Sequence, residues 1–179
     1  MKERRKPGYL IAQYCIRHPE SGVQRHLRFD MSSLPTEISS LLIPMQGRPW
    51  LVPNIVVAEV IPLRQPDRPG HGPEWLLGWL SWRDQNIPLV SFERLNESGQ
   101  ITIGQDARIA VLNTIAGKRP FYAVIVQGIP RLLKVGKDDP VEEPVDTGPA
   151  ESMYIQVAGD LAVIPDLDAI EGAVAGLPT

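Results

Sequence analysis

Eighteen prolines and fifteen glycines are spread along 179 residues, and that punctuation limits what the chain can fold into. Proline removes a backbone donor and clashes inside a helix, and glycine weakens the interior of either helix or strand. Long helices are therefore disfavoured over most of the sequence. What remains is a series of short extended runs separated by turns. "SSLLIPM" leads to a tight turn at "QGRP" and then to "WLVPNIVVAEVIPL", where Val56, Val57, Val60 and Ile61 favour strands. Pro53 and Pro62 keep these pieces short or at an edge.

Residues 64–73, "RQPDRPGHGP", are a loop by composition. Pro73 and Glu74 then open a helical turn carrying Trp75, and Gly78 discourages a longer helix. "GWLSWR", a turn at "DQ" and "NIPLVSF" read as a hairpin with Trp79 and Trp82 on opposite faces. Residues 107–135, "ARIAVLNTIAGKRPFYAVIVQGIPRLLKV", read as two apolar strands around an Ala-Gly-Lys turn, then a third short strand. An acidic, proline-rich loop follows over 137–152. After it come a hairpin turned at Gly159-Asp160 and a short helix from about Pro165. Many short strands with regular turn signals indicate an all-β barrel or sandwich. Residues 1–38, with Pro7, Pro19 and Pro35 and little periodicity, read as a weakly ordered or loosely docked N-terminal arm. Residues 39–179 read as the folded domain.

The net charge of −3 is uneven: residues 1–30 carry +4 and the rest −7. An acidic body opposes phosphate reading, so a nucleic-acid-binding module would have to use the basic arm. The basic start and "GYLIAQYCI" resemble a signal peptide, but the apolar piece is short, broken by Gln13, and lacks a small-residue cleavage site. No apolar run is long enough to cross a bilayer, so direct membrane insertion is not expected. Cys15 is the only cysteine; it has no internal partner, which fits a reducing, cytoplasmic setting.

Motifs of catalysis and metal binding are mostly absent. "IAGKRP" lacks the early glycine and the Ser/Thr of a phosphate-binding loop, and no serine has the glycine setting of a hydrolase elbow. His18, His26 and His71 have neither an i,i+4 pair nor cysteine partners. Asp138 and Asp139 offer a paired-carboxylate cation site, the basis for a metal-dependent hydrolase. In company with Glu142, Glu143 and Asp146 they read instead as a solvated acidic loop. The expectation is no catalytic residue, no cofactor and no metal.

The order "AEVI", a proline-rich loop, "PEWLLG" and "RDQNIPLVSF" resembles the CheW family of chemosensory adaptors. That family typically shows an E-I dipeptide, a loop, a helical turn, then G-x-x-x-x-R-G and an I-P-V run ending in Asp-Leu. The apolar hairpin of residues 107–135 resembles the family's later strand pair. The likeness covers about residues 39–175. It implies a mostly β fold of two packed five-stranded SH3-like barrels with one or two short helices. It also implies an adaptor without enzymatic activity, binding the regulatory domain of a CheA-type histidine kinase and the cytoplasmic tip of a chemoreceptor. Such an adaptor is recruited to membrane-associated receptor arrays, and the nearest members serve systems controlling type IV pili and twitching motility.

Carried over by position, the resemblance implies a partner-binding set of Val57, Glu59, Gly78, Arg83 and Asp84, to which exposed indole at Trp79 is added. Most have a plainer alternative. Arg83 is either an anchor that grips a partner, or a turn arginine paired with Asp84 or Glu93. Glu59 is a partner contact or a charge guarding a strand edge. Gly78 lets a receptor helix approach, or serves close backbone packing within the chain. Leu80 and Trp82 are assigned mainly to the core and Trp79 to the surface. Two departures from the family bear on this region. Asp84 stands where glycine is usual, and aspartate tolerates a left-handed backbone better than most residues. Ser91-Phe92 replaces Asp-Leu, which is expected to remove an inward polar contact.

Overall fold

A computed structural model describes residues 37–67, 71–115, 119–136 and 141–178. Strand β1 is Glu37–Ile43 and β2 is Trp50–Pro53, followed by a single 3-10 turn at Asn54–Val56 and β3 at Val57–Pro62. Next come β4 (Leu76–Trp82), β5 (Gln85–Val90) and the four-residue helix α1 (Phe92–Leu95). Strands β6 (Arg108–Asn113), β7 (Phe121–Val126), β8 (Arg131–Gly136) and β9 (Val141–Glu143) follow. The chain ends in β10 (Glu151–Val157), β11 (Asp160–Pro165) and helix α2 (Leu167–Ala175). Among the described residues the fold is mostly β, with two sheets and two short helices, as the resemblance implied.

The sheets do not follow the halves of the sequence. One has five strands in the order β3-β6-β7-β5-β4; the other has six in the order β8-β1-β2-β11-β10-β9. From Glu37 the described chain enters the six-stranded sheet, builds the whole five-stranded sheet, and returns. Most neighbours are antiparallel, but β5 lies parallel to β7, and β11 to β2.

Burial explains why so many strands read as unbroken apolar runs. On β6, Ile109 and Val111 enter one core cluster while Ala110 and Leu112 enter another. On β7, Ala123 and Ile125 join the first, and Tyr122, Val124 and Val126 the second. Since side chains alternate across a strand, both faces of β6 and β7 are buried and neither can be polar. A third cluster, including Leu42, Leu51, Val135, Ile155 and Ile164, fills the six-stranded sheet. The shared cluster between the sheets includes Trp50, whose ring meets Phe92 edge-on at 4.6 Å, and Leu167, Ile170 and Val174 from α2.

Local expectations are adjusted in five places. Both tight hairpins turn one residue earlier than read. The β4–β5 turn is Arg83-Asp84 and the β10–β11 turn is Ala158-Gly159, with φ of 45° and 61° in one and 50° and 86° in the other. These are the φ signs of a type I′ turn, which matches the twist of the flanking strands. Trp75 lies in one hydrogen-bonded turn (Leu76 N donates to Pro73 O, 3.0 Å) that does not continue into a helix. The strand read through Phe92 ends at Val90, because buried Ser91 caps α1: its Oγ accepts from Arg94 N at 3.3 Å. The acidic loop over 137–152 contains β9, paired to β10 at the sheet edge. The Ala-Gly-Lys turn, Asp138 and Asp139, Cys15, His18 and His26 lie outside the described residues. So does the N-terminal arm, except that Glu37 and Ile38 are the first residues of β1.

The five-stranded sheet is closed into a barrel at the seam between β3 and β4. The chain leaving β3 turns back so that Asp67 N donates to Trp79 O at 2.9 Å, and Trp79 N donates to Asp67 O at 2.8 Å. Gly78 makes this approach possible. A Cβ there would sit 2.4 Å from Asp67 O and 2.7 Å from Pro66 Cβ, and its φ is +153°. Gly78→Ala is therefore expected to destabilise the fold by about 2–4 kcal/mol, through backbone strain and a displaced seam. Thermal unfolding checks this, with the midpoint falling by roughly 10 °C.

Tyr122 offers a second check. Burial, and secondarily the charge of Glu171, pushes its phenol well above the ordinary value of 10.0. The unfolded chain loses this proton near pH 10 while the folded chain keeps it, so stability is intact below pH 10 and falls above it. The slope approaches about 1.4 kcal/mol per pH unit for one proton. Its hydroxyl has no partner among the described residues. Tyr122→Phe should remove this part of the alkaline loss, with neutral-pH stability equal or higher, as denaturant titration across pH 7–12 would read.

Candidate functional site

The seam that closes the barrel also assembles the expected site residues. Arg83 and Asp84 are the two turn residues between β4 and β5, which throws the Arg83 side chain out at the end of the barrel. A left-handed backbone at a residue such as arginine costs of order 1 kcal/mol. Here it is held by side-chain contacts across the seam. Glu59 Oε2 accepts from Arg83 Nη2 at 3.0 Å and from Trp82 Nε1 at 3.0 Å. The guanidinium carbon lies 4.6 Å from the Trp82 ring centroid, within cation–π range. The Trp82 ring in turn meets Phe121 edge-on at 4.8 Å inside the barrel.

Trp82 is therefore both core and site. Its ring is buried, as read, but its indole N–H fixes the carboxylate that orients Arg83. The partner of Arg83 is Glu59 from β3, neither Asp84 nor Glu93. Glu93 is buried, with Oε2 accepting from Ser91 Oγ at 3.0 Å. An inward polar contact thus survives the Ser91-Phe92 replacement by different chemistry. Asp84 accepts the left-handed conformation at φ 61°, so the turn forms without the usual glycine.

Electrostatically the site is a presented cation. The Arg83 side chain is 65% exposed and that of Glu59 39%. A guanidinium carries five N–H donors in a plane; Nη2 is committed to Glu59, and the exposed fork suits a carboxylate or a row of carbonyls.

The remaining expected residues are distributed along β3 and β4. Val57 is half-buried against the cluster between the sheets, with a bulge between it and Glu59. Gly78 is buried beneath Pro66 and Asp67, which is the close backbone packing within the chain. Trp79 faces outward, half-buried, with the Arg119 guanidinium 4.9 Å from its ring centroid. Arg119 Nη2 also donates to Leu177 O at 3.2 Å and Pro178 O at 2.7 Å, tying the end of the chain to this face. Arg119 was not legible as a site residue. It sits in a turn 40 residues from Trp79, and only the order of strands brings the two together.

The Glu59–Arg83 pair contributes little to stability because solvent screens it. A double-mutant cycle of Glu59→Gln and Arg83→Gln by denaturant unfolding should give a coupling below about 1 kcal/mol. A coupling well above that would make the pair a structural brace. Trp82→Phe should cost about 1–3 kcal/mol, since it loses a charge-assisted hydrogen bond and leaves a small void.

Comparison with known proteins places this geometry in context. The model of the CheW-like domain matches residues 39–173. Among solved structures the chain is similar to the scaffolding protein TtCheW from Thermoanaerobacter tengcongensis. The TM-score is 0.62 at 14% identity, over 72% of this chain and 88% of the other, a likeness of fold. Among curated proteins, no sequence matches. With the family match running over three quarters of its length, the chain belongs to the CheW-like domain family.

Proposed function

We propose that this protein is a chemosensory adaptor without chemistry of its own, coupling a chemoreceptor to a CheA-type histidine kinase. The carrying observation is the Arg83 guanidinium, held outward by Glu59 and Trp82 at the end of a closed barrel. A cation fixed on a rigid scaffold loses little freedom on binding, which is what a recognition anchor needs. Membership of the CheW-like family and the fold likeness to a scaffolding protein support the same reading.

In this reading the seam end, with Glu59, Arg83 and Asp84, meets the regulatory domain of the kinase. The receptor tip, a pair of amphipathic helices, lies against the apolar rim where Val57 and Val60 reach the surface of the cluster between the sheets. Trp79 borders that contact. Each contact is modest, about micromolar or 8 kcal/mol, and the two become firm when engaged together in an array. The adaptor then biases the kinase between conformations through differential contacts. Among the described residues no helix is long and apolar enough to cross a membrane, and attachment to receptor arrays through partners fits that. A role in type IV pilus or twitching motility belongs to the same proposal.

Arg83→Glu tests it. Reversing an exposed charge should leave the thermal midpoint within about 2 °C. Co-purification of kinase and receptor from native lysate should be lost. Undiminished co-purification of both would overturn Arg83 as the anchor.

A further inference from the structure

The residues that follow α2 are tied to the five-stranded sheet through one guanidinium. Arg119, just before β7, donates from Nη2 to Leu177 O at 3.2 Å and to Pro178 O at 2.7 Å. The same guanidinium lies 4.9 Å from the centroid of the Trp79 ring. It stands between the outward face of β4 and the main chain beyond α2, so each contact helps to hold the other.

The two sides of this junction are not equally firm. Arg119 sits on a braced backbone: its carbonyl accepts from Thr114 Oγ1, and Pro120 O accepts from Thr114 N at 3.0 Å. Phe121 then enters β7 opposite Asn113. Residues 176–178 are held less firmly. Gly176 N donates to Ala173 O and Leu177 N to Val174 O, both at 3.2 Å, the tightened turn of a helix end. Leu177 is buried, but Pro178 is exposed.

The ligands of Arg119 are also weak ones for a guanidinium. They are neutral carbonyls, and a carboxylate makes hydrogen bonds roughly twice as strong. A segment that carries a carboxylate beside an apolar side chain could take the guanidinium from them. Its apolar part would then pack on the indole face that Arg119 overlies.

We propose that residues 176–178 form a latch beside Trp79, closed by Arg119 and opened by a partner segment that offers a carboxylate next to an apolar side chain. Closed, the latch occupies the guanidinium and keeps the indole half-buried. Open, it leaves both available on one outward face. The inference goes beyond the adaptor reading and does not depend on it. Its test uses the purified full chain, so its failure is separate from a failure of kinase and receptor to co-purify.

Fluorine NMR of the chain labelled with fluorotryptophan reads the latch, the Trp79 signal being the one lost in Trp79→Phe. Arg119→Gln should move that signal and speed exchange of the Leu177 amide about ten-fold, with the core amide of Val124 unchanged. Unaltered exchange at Leu177 would overturn the latch. The opening chemistry is read on the unaltered chain, with a blocked helical peptide presenting glutamate and leucine on one face. A twin with glutamine in place of glutamate is the comparison. The glutamate peptide should move the Trp79 signal and speed Leu177 exchange, and the twin should need about ten-fold more peptide to do so. Equal action of the two peptides would overturn the proposal, as would a glutamate peptide that leaves either the Trp79 signal or Leu177 exchange unchanged.

Discussion

Two strands that must each satisfy two cores are the constraint on which the rest of the molecule depends. Strands β6 and β7 send alternate residues into the five-stranded barrel and into the cluster between the sheets. A one-residue slip would exchange Ile109, Val111, Ala123 and Ile125 for a set of different sizes in a barrel already filled by Leu80, Trp82, Ile87 and Leu89. Close packing makes that exchange costly, so the register is well specified even though both faces are apolar. Helix α2 and Trp50 then complete the shared cluster, which joins strands from both ends of the sequence into one body.

With the barrel interior set, the seam between β3 and β4 is where the sheet has to be joined edge to edge. Two devices do this. Gly78 lets the Asp67 backbone come down on Trp79, and Glu59 bridges to Trp82 and Arg83. The first is backbone packing and carries stability. In the second, the exposed Glu59–Arg83 pair carries little, whereas the bond from buried Trp82 adds to stability. Backbone closure and the outward-held cation therefore share one seam but fall on different residues.

Some of this was legible in the residues. The proline and glycine spacing excluded long helices, and the positions of nearly every strand followed from apolar runs between turns. Turn positions were less legible. "RD" and "AG" carry no Asn-Gly signature, and the alternation on either side tolerates a shift of one, so only the pairing of Trp82 with Gln85 and of Val157 with Asp160 decided them. Ser91 looked like the end of a strand because its capping role depends on Arg94 turning back to it. Arg83 was recognisable, but its partner was not: Glu59 lies 24 residues away, beyond a proline-rich loop, and Asp84 and Glu93 were nearer in sequence.

The sequence by itself determined the class of the fold, the turn-rich strand order and the residue types at the barrel end. These follow from local rules: what proline forbids, what β-branched residues favour, and what an unbroken apolar strand must bury. Tertiary structure alone decided which strands share a sheet, which carboxylate orients Arg83, and that Arg119 meets Trp79. Those outcomes depend on contacts between residues far apart in the chain, which arise only when two cores are filled at once.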